Sequence, residues 1–148
     1  MFDANTILNM QIEGATSTQA VPVPIGEYTA TVSKLEPRVV TRQDGSSTPI
    51  VRVVWMISDP GVQAVTGREQ NYVQQDLWLD MLPSGALDMS PGANIALGRL
   101  REAVGQNNPG QPWAFTRLIG QTARILVDHR TDDAGNVYPQ VRRVSALR

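Results

Sequence analysis

Apolar and polar residues alternate with a period of two over most of this chain, and that pattern predicts strands. Tyr28, Ala30 and Val32 alternate with Thr29, Thr31 and Ser33, so a first strand with one buried face runs from Tyr28 to about Leu35. Pro37 ends it or marks a sheet edge. Arg42-Gln43-Asp44-Gly45-Ser46-Ser47 is a polar turn with an Asp-Gly signal. A second strand, about Pro49 to Ser58, is dense in Ile50, Val51, Val53, Val54, Trp55 and Ile57. Asp59-Pro60-Gly61 stops it, and Val62 to Gln70 reads as either a short helical turn or a loop. The third strand spans about Asn71 to Met81. Val73, Leu77, Leu79 and Met81 take one parity; Tyr72, Gln74, Asp76, Trp78 and Asp80 take the other.

The period then changes. Ile95, Leu97, Leu100, Ala103 and Val104 form a helical stripe that ends at Gly105, with Asn94 or Ser90 as the candidate cap. A breaker-rich loop, Gln106 to Pro112, precedes a second short helical segment over Trp113–Leu118. The fourth strand covers about Thr122–Arg130 and the fifth Val137 to about Val144, joined by a hairpin turn at Thr131–Asn136. Residues 1–24 form an extended N-terminal arm, stiffened by Val21-Pro22-Val23-Pro24. Residues 25–148 form the domain. Five short strands with one main helix between the third and fourth predict an all-β fold of the OB type, a small five-stranded barrel. The rival β-sandwich wants about seven strands and no central helix.

Composition narrows the chemistry. The 148 residues suit one domain, and 41% hydrophobic with 18% charged residues is the balance of a folded chain. No apolar run approaches the roughly 18 residues of a membrane span. The N-terminus has no basic leader region, so no secretory signal is expected. Without cysteine there is no disulfide framework or thiolate metal site. His129 is the sole imidazole, which limits any metal cluster or catalytic triad.

The net charge is −1, but it is unevenly spread: residues 1–93 carry five basic and ten acidic side chains, residues 94–148 eight and four. Lys34 is the only lysine. Arginine suits phosphates and π faces, although GC-rich coding produces the same replacement of lysine.

Catalytic motifs are lacking. There is no phosphate-binding glycine loop. Asp128 and His129 are neighbours that point to opposite faces of a strand. Asp132-Asp133 lacks the terminal bidentate carboxylate of a calcium loop and reads as a turn. Asp76 and Asp80 lie about 13 Å apart along their strand, too far for a glycosidase pair. No enzyme activity, cofactor or metal is expected.

What remains is a pattern of aromatics and arginines. Single-strand binders join a basic groove to aromatic faces on which bases stack. In OB folds that groove crosses strands two and three, between the first–second and fourth–fifth loops. Arg38 and Arg42 flank the first of these loops, Arg52 lies on strand two, and Tyr72 and Trp78 lie on the polar parity of strand three. Arg130 and Tyr138 flank the second loop, and Arg124 and Arg142 belong to the same hairpin. Trp55 shares parity with Val51, Val53 and Ile57 and is assigned to the core. Tyr28 is assigned there too, and Trp113 and Phe115 are expected to pack around the helix. Asp76 and Asp80 repel phosphate unless arginine neutralises them.

With these features the chain resembles a family of small bacteriophage proteins described as single-stranded DNA-binding. The likeness rests on Phe2-Asp3-Ala4, Pro24-Ile25-Gly26-Glu27-Tyr28, Leu79-Asp80, Gly98-Arg99-Leu100-Arg101-Glu102-Ala103 and Leu118-Ile119-Gly120-Gln121. It implies an OB fold, sequence-tolerant binding of single-stranded DNA, and a role in phage replication or recombination, with proteins of those processes as partners in the host cytoplasm. Many such proteins recruit partners through an acidic tail; Ser145-Ala146-Leu147-Arg148 is not acidic, so recruitment of that kind is not expected. Two rivals stand beside this reading. One is a virion structural or assembly protein whose arm docks on a second copy, giving a homo-oligomer. The other is an adaptor that binds protein through an exposed sheet edge.

Overall fold

The computed structural model describes residues 3–147. Met1, Phe2 and Arg148 lie outside the described residues, and with them the outermost ends of the arm and the domain, and Phe2 of the family likeness. The elements are α1 (Ala4–Ile7), β1 (Gly26–Thr41), β2 (Ser47–Ile57), α2 (Pro60–Thr66), β3 (Asn71–Trp78), α3 (Ile95–Ala103), a 3₁₀ turn (Phe115–Leu118), β4 (Thr122–Thr131) and β5 (Val137–Ser145). The fold is mostly β, with a five-stranded sheet that closes on itself in the order β1-β2-β3-β5-β4. The β1–β2, β2–β3, β4–β5 and β1–β4 pairs are antiparallel. β3 and β5 run parallel and meet at one register pair, Gln74 with Gln140, so the sheet closes there by its thinnest seam. Among the described residues no helix is long and apolar enough to cross a membrane.

The inward parity of each strand fills the core. Ala30, Val32, Val51, Val53, Trp55, Ile57, Val73, Leu77, Ala123, Ile125 and Val127 are buried in one cluster, joined by Leu97 and Leu100 of α3 and by Leu118. Trp55 has 0% exposure, and its indole Nε1 donates to Gln75 Oε1 at 3.0 Å. Tyr28, Trp113 and Phe115 pack against the cluster at its margin.

Several boundaries differ from the sequence reading, each for a physical reason. β1 runs through Pro37 to Thr41. Gly26–Thr31 pair with β4, which begins at Thr122, and Thr31–Thr41 pair with β2, with a register shift in that second ladder between Val32 and Lys34. Pro37 therefore lies where β1 pairs with β2 alone and its missing N–H is tolerated. Of the ambiguous stretch Val62–Gln70, the part to Thr66 belongs to the helix α2 and the rest is loop. Asp59 Oδ1 accepts from Val62 N–H at 3.1 Å, Pro60 opens the first turn, and Gly67 ends the helix at φ +74°. β3 stops at Trp78, because the next residues form a loop closed by a Met81–Leu87 bridge.

Asn94 precedes α3 but does not cap it. It adopts φ +52°, a left-handed conformation that Asn tolerates, and its side chain turns to the loop. Asn94 Nδ2 donates to the carbonyls of Asp80 (2.9 Å) and Asp88 (3.0 Å), and Asn94 Oδ1 accepts from Asp80 N–H at 2.8 Å. Ile95, expected in the buried stripe, is exposed.

The arm is not uniformly free. Ile7, Leu8, Met10 and Ile12 are exposed, whereas Val23 is fully buried. The root is strapped down by its polar groups. Gln19 both donates to the Val137 carbonyl and accepts from Val137 N–H (3.1 Å); Arg68 Nη2 donates to the Val21 carbonyl (2.9 Å). His129 Nε2 lies 2.7 Å from the Val23 carbonyl, which can only accept, so this nitrogen carries the proton.

Candidate nucleic-acid interface

The β1–β2–β3 register fixes the outer face of the sheet as three rows. Arg38, Ile50 and Trp78 are cross-strand partners in one row. Glu36, Arg52 and Asp76 form the next, and Lys34, Val54 and Gln74 the third, with Tyr72 opposite Met56 beyond it. Alternation along a strand makes this arrangement obligatory once the inward residues are buried. Ile50 and Val54 point outward yet are buried outside the core cluster. They form an apolar floor between the long side chains of the neighbouring strands. Trp78 stands beside this floor with 52% of its surface exposed, and Tyr72 is 50% exposed.

At the seam between β3 and β5 this face drops into a cleft of about 670 Å³. Arg52, Tyr72 and Trp78 line it from one side, Arg130, Tyr138 and Arg142 from the other. Six of the nine residues predicted from sequence thus meet along one groove. Tyr138 is 40% exposed, and the Arg130 guanidinium carbon lies 5.2 Å from its ring centroid, a cation–π geometry that holds both side chains at the rim. Trp78 also borders a second cleft, of about 720 Å³, whose wall includes Arg42. Arg42 Nη1 donates to the neutral Thr48 Oγ1 at 2.8 Å, and Asp80 and Asp88 line the same cleft.

The remaining positive charges are partly matched. Arg52 donates to Asp76 through Nε (2.8 Å to Oδ1) and Nη2 (3.2 Å to Oδ2). Arg38 Nη2 lies 3.8 Å from the same carboxylate. The bond to Asp76 raises the Arg52 pKa above its ordinary value, so the guanidinium stays charged. Arg142 Nη1 is 3.7 Å from Asp128 Oδ2. Arg38, Arg42 and Arg124 do not line the seam cleft, and Arg124 belongs to a different part of the surface. It lies six residues from Arg130 along β4, about 20 Å, and bonds Glu27 through Nε at 3.3 Å, beside Arg143. The reason is hairpin length: β4 and β5 carry eight register pairs, and Arg124 sits opposite Ser145, at the end away from the turn.

Asp128 and His129 are committed to different partners. Asp128 Oδ1 accepts from the His129 N–H at 2.8 Å, and the His129 ring serves the arm. Asp80 Oδ2 accepts from Asn94 N–H at 2.9 Å. Asp132 closes the β4–β5 turn, accepting from Ala134 N–H (3.0 Å) and Asn136 N–H (2.9 Å). The Asn136 N–H is the main cause that holds the Asp132 carboxyl below its ordinary pKa.

No protein-family model matches the chain, and no curated protein matches it.

Four side chains of this face were missed in the sequence. Gln74 and Gln140 line the cleft where β3 and β5 touch, and nothing local distinguishes them from other surface amides. Ile50 and Val54 had a signal: on β2 apolar residues fill both parities from Ile50 to Ile57 except at Arg52, the mark of a strand largely covered on both faces.

Proposed function

We propose that this protein is an OB-type binder of single-stranded DNA that takes its ligand with little regard to sequence. The observation that carries the reading is the convergence of three exposed rings, Tyr72, Trp78 and Tyr138, with Arg52, Arg130 and Arg142 along one cleft. Aromatic rings left half in solvent are suited to stacking on bases, and the arginines around them to holding phosphates. The order β1-β2-β3-β5-β4 with α3 between β3 and β4 supports the OB assignment. The family likeness puts the activity in phage DNA replication or recombination, in the cytoplasm of the infected cell. The test is a titration of labelled oligo-dT. Saturable binding at about 50 mM salt is expected, weakening by roughly 0.7 log units per log unit of salt for each phosphate neutralised. No binding at that salt, or binding indifferent to Trp78→Ala combined with Arg130→Ala, removes the proposal.

A second reading, subunit assembly through the arm, is favoured by the exposed Ile7, Leu8, Met10 and Ile12. Sedimentation velocity with and without residues 1–18 decides it: assembly predicts a larger species that collapses to monomer on truncation.

A further inference from the structure

Asp76 is an anomaly in a cleft that takes a polyanion, and its geometry gives it a use. We infer that Asp76 is a positioning residue: it holds Arg52 by one edge so that the opposite edge is presented to a phosphate of the bound strand. The inference rests on the DNA-binding reading.

A guanidinium has two forks. Asp76 grips the side fork of Arg52, Nε and Nη2. The end fork, Nη1 with the second hydrogen of Nη2, has no hydrogen-bond partner among the described residues. A carboxylate that competed with phosphate for the whole group would leave no fork open; this one leaves the fork that matches a phosphate's two oxygens. The hold is built in before any ligand arrives, because Arg52 and Asp76 are direct cross-strand partners. Arg38 approaches the same carboxylate, and Glu36, the partner of Arg52 on β1, is paired with Lys34 at 3.6 Å, so Lys34, Arg38 and Arg52 with Glu36 and Asp76 together keep one positive charge.

The location fits. Along β3, Asp76 is two residues from Trp78 and four from Tyr72, about 7 and 13 Å. Arg52 therefore lies between the two rings, facing the backbone that links bases stacked on them. It also borders both the seam cleft and the neighbouring depression beside Tyr72 and Val54. A flexible arginine adds entropy loss to each contact; one fixed by a second side chain does not.

The test sets two effects of opposite sign against each other. Removing a negative charge from the cleft with Asp76→Asn strengthens phosphate binding by field alone. If Asp76 positions Arg52, the same change weakens oligo-dT binding, by up to about fivefold, the range of an exposed ion pair. The salt slope stays the same. In an Arg52→Lys background, which keeps the charge but loses the fork, Asp76→Asn produces no further weakening. Tighter binding by Asp76→Asn, with a slope steeper by roughly 0.7, makes Asp76 a competitor and overturns the inference. Unchanged binding overturns it too, and so does an equal loss in the Arg52→Lys background, which assigns Asp76 a structural role. Wild-type protein that ignores oligo-dT removes the function itself, a result distinct from these.

Discussion

At the scale of single residues, the tryptophans show how burial separates structure from function. Trp55 and Trp78 lie on neighbouring strands of the same sheet, but Trp55 faces the core with its indole N–H satisfied, and Trp78 faces solvent over Ile50. Trp55→Ala empties the centre of the core and is expected to cost about 3–5 kcal/mol of stability. Trp78→Ala is expected to change stability by about 0.5 kcal/mol or less, while removing one base stack, about 1–3 kcal/mol of binding. Paired urea melts and oligo-dT titrations of the two variants check this. A Trp78→Ala protein that melts like the Trp55→Ala protein refutes the assignment. Parity alone carried this distinction in the sequence, since Val51, Val53 and Ile57 fix the inward side of β2. Parity could not show that Arg38 and Arg52 converge on Asp76, because that needs the cross-strand register.

At the scale of elements, the strands and α3 were legible because each has a run long enough for its period to declare itself. What was not legible followed from partners distant in sequence. β1 can continue through Pro37 because beyond Thr31 it pairs with β2 alone, β4 beginning only at Thr122. Asn94 abandons capping only because Asp80 and Asp88 offer it better partners. Sequence puts Arg124 in the groove because hairpin membership is a local property, whereas distance along the hairpin decides what a side chain reaches. The β4–β5 turn, which carries one wall of the cleft, adds a dependence on pH. Asp132 has its pKa lowered by N–H donors that favour the carboxylate. Its contribution is therefore complete above the ordinary carboxylate value of about 3.9 and disappears as pH falls through the lowered one. Amide hydrogen exchange at Ala134 and Asn136 should accelerate as pH falls below about 4, relative to β2, beyond the intrinsic pH trend. Asp132→Asn should show the faster exchange already at neutral pH; protection unchanged in that variant rules the carboxylate out as the fastener.

At the scale of the molecule, the arm root and the cleft share one support. Gln19 and the Val23 carbonyl bind Val137 and His129, each one residue from a cleft residue, Tyr138 or Arg130. Val23 fills a buried site in the core, and Arg68, which holds Val21, is itself steadied by Asn71 Nδ2 donating to its carbonyl at 3.0 Å. The arm is thus two functional lengths, an exposed outer part and a strap from Gln19 to Pro24 that belongs to the fold. Removing residues 1–18 should leave both stability and oligo-dT affinity unchanged. Removing residues 1–24 deletes the buried Val23 side chain, worth about 1.5–3 kcal/mol, and should lower the melting temperature by several degrees, at roughly 2–4 °C per kcal/mol for a chain of this size. It should also release the hairpin wall, so that affinity falls although no residue of the cleft has been changed. Equal affinities for the two truncations would separate the strap from the cleft, leaving the arm root with stability alone. A loss already present on removing residues 1–18 would move the DNA contact outward into the arm.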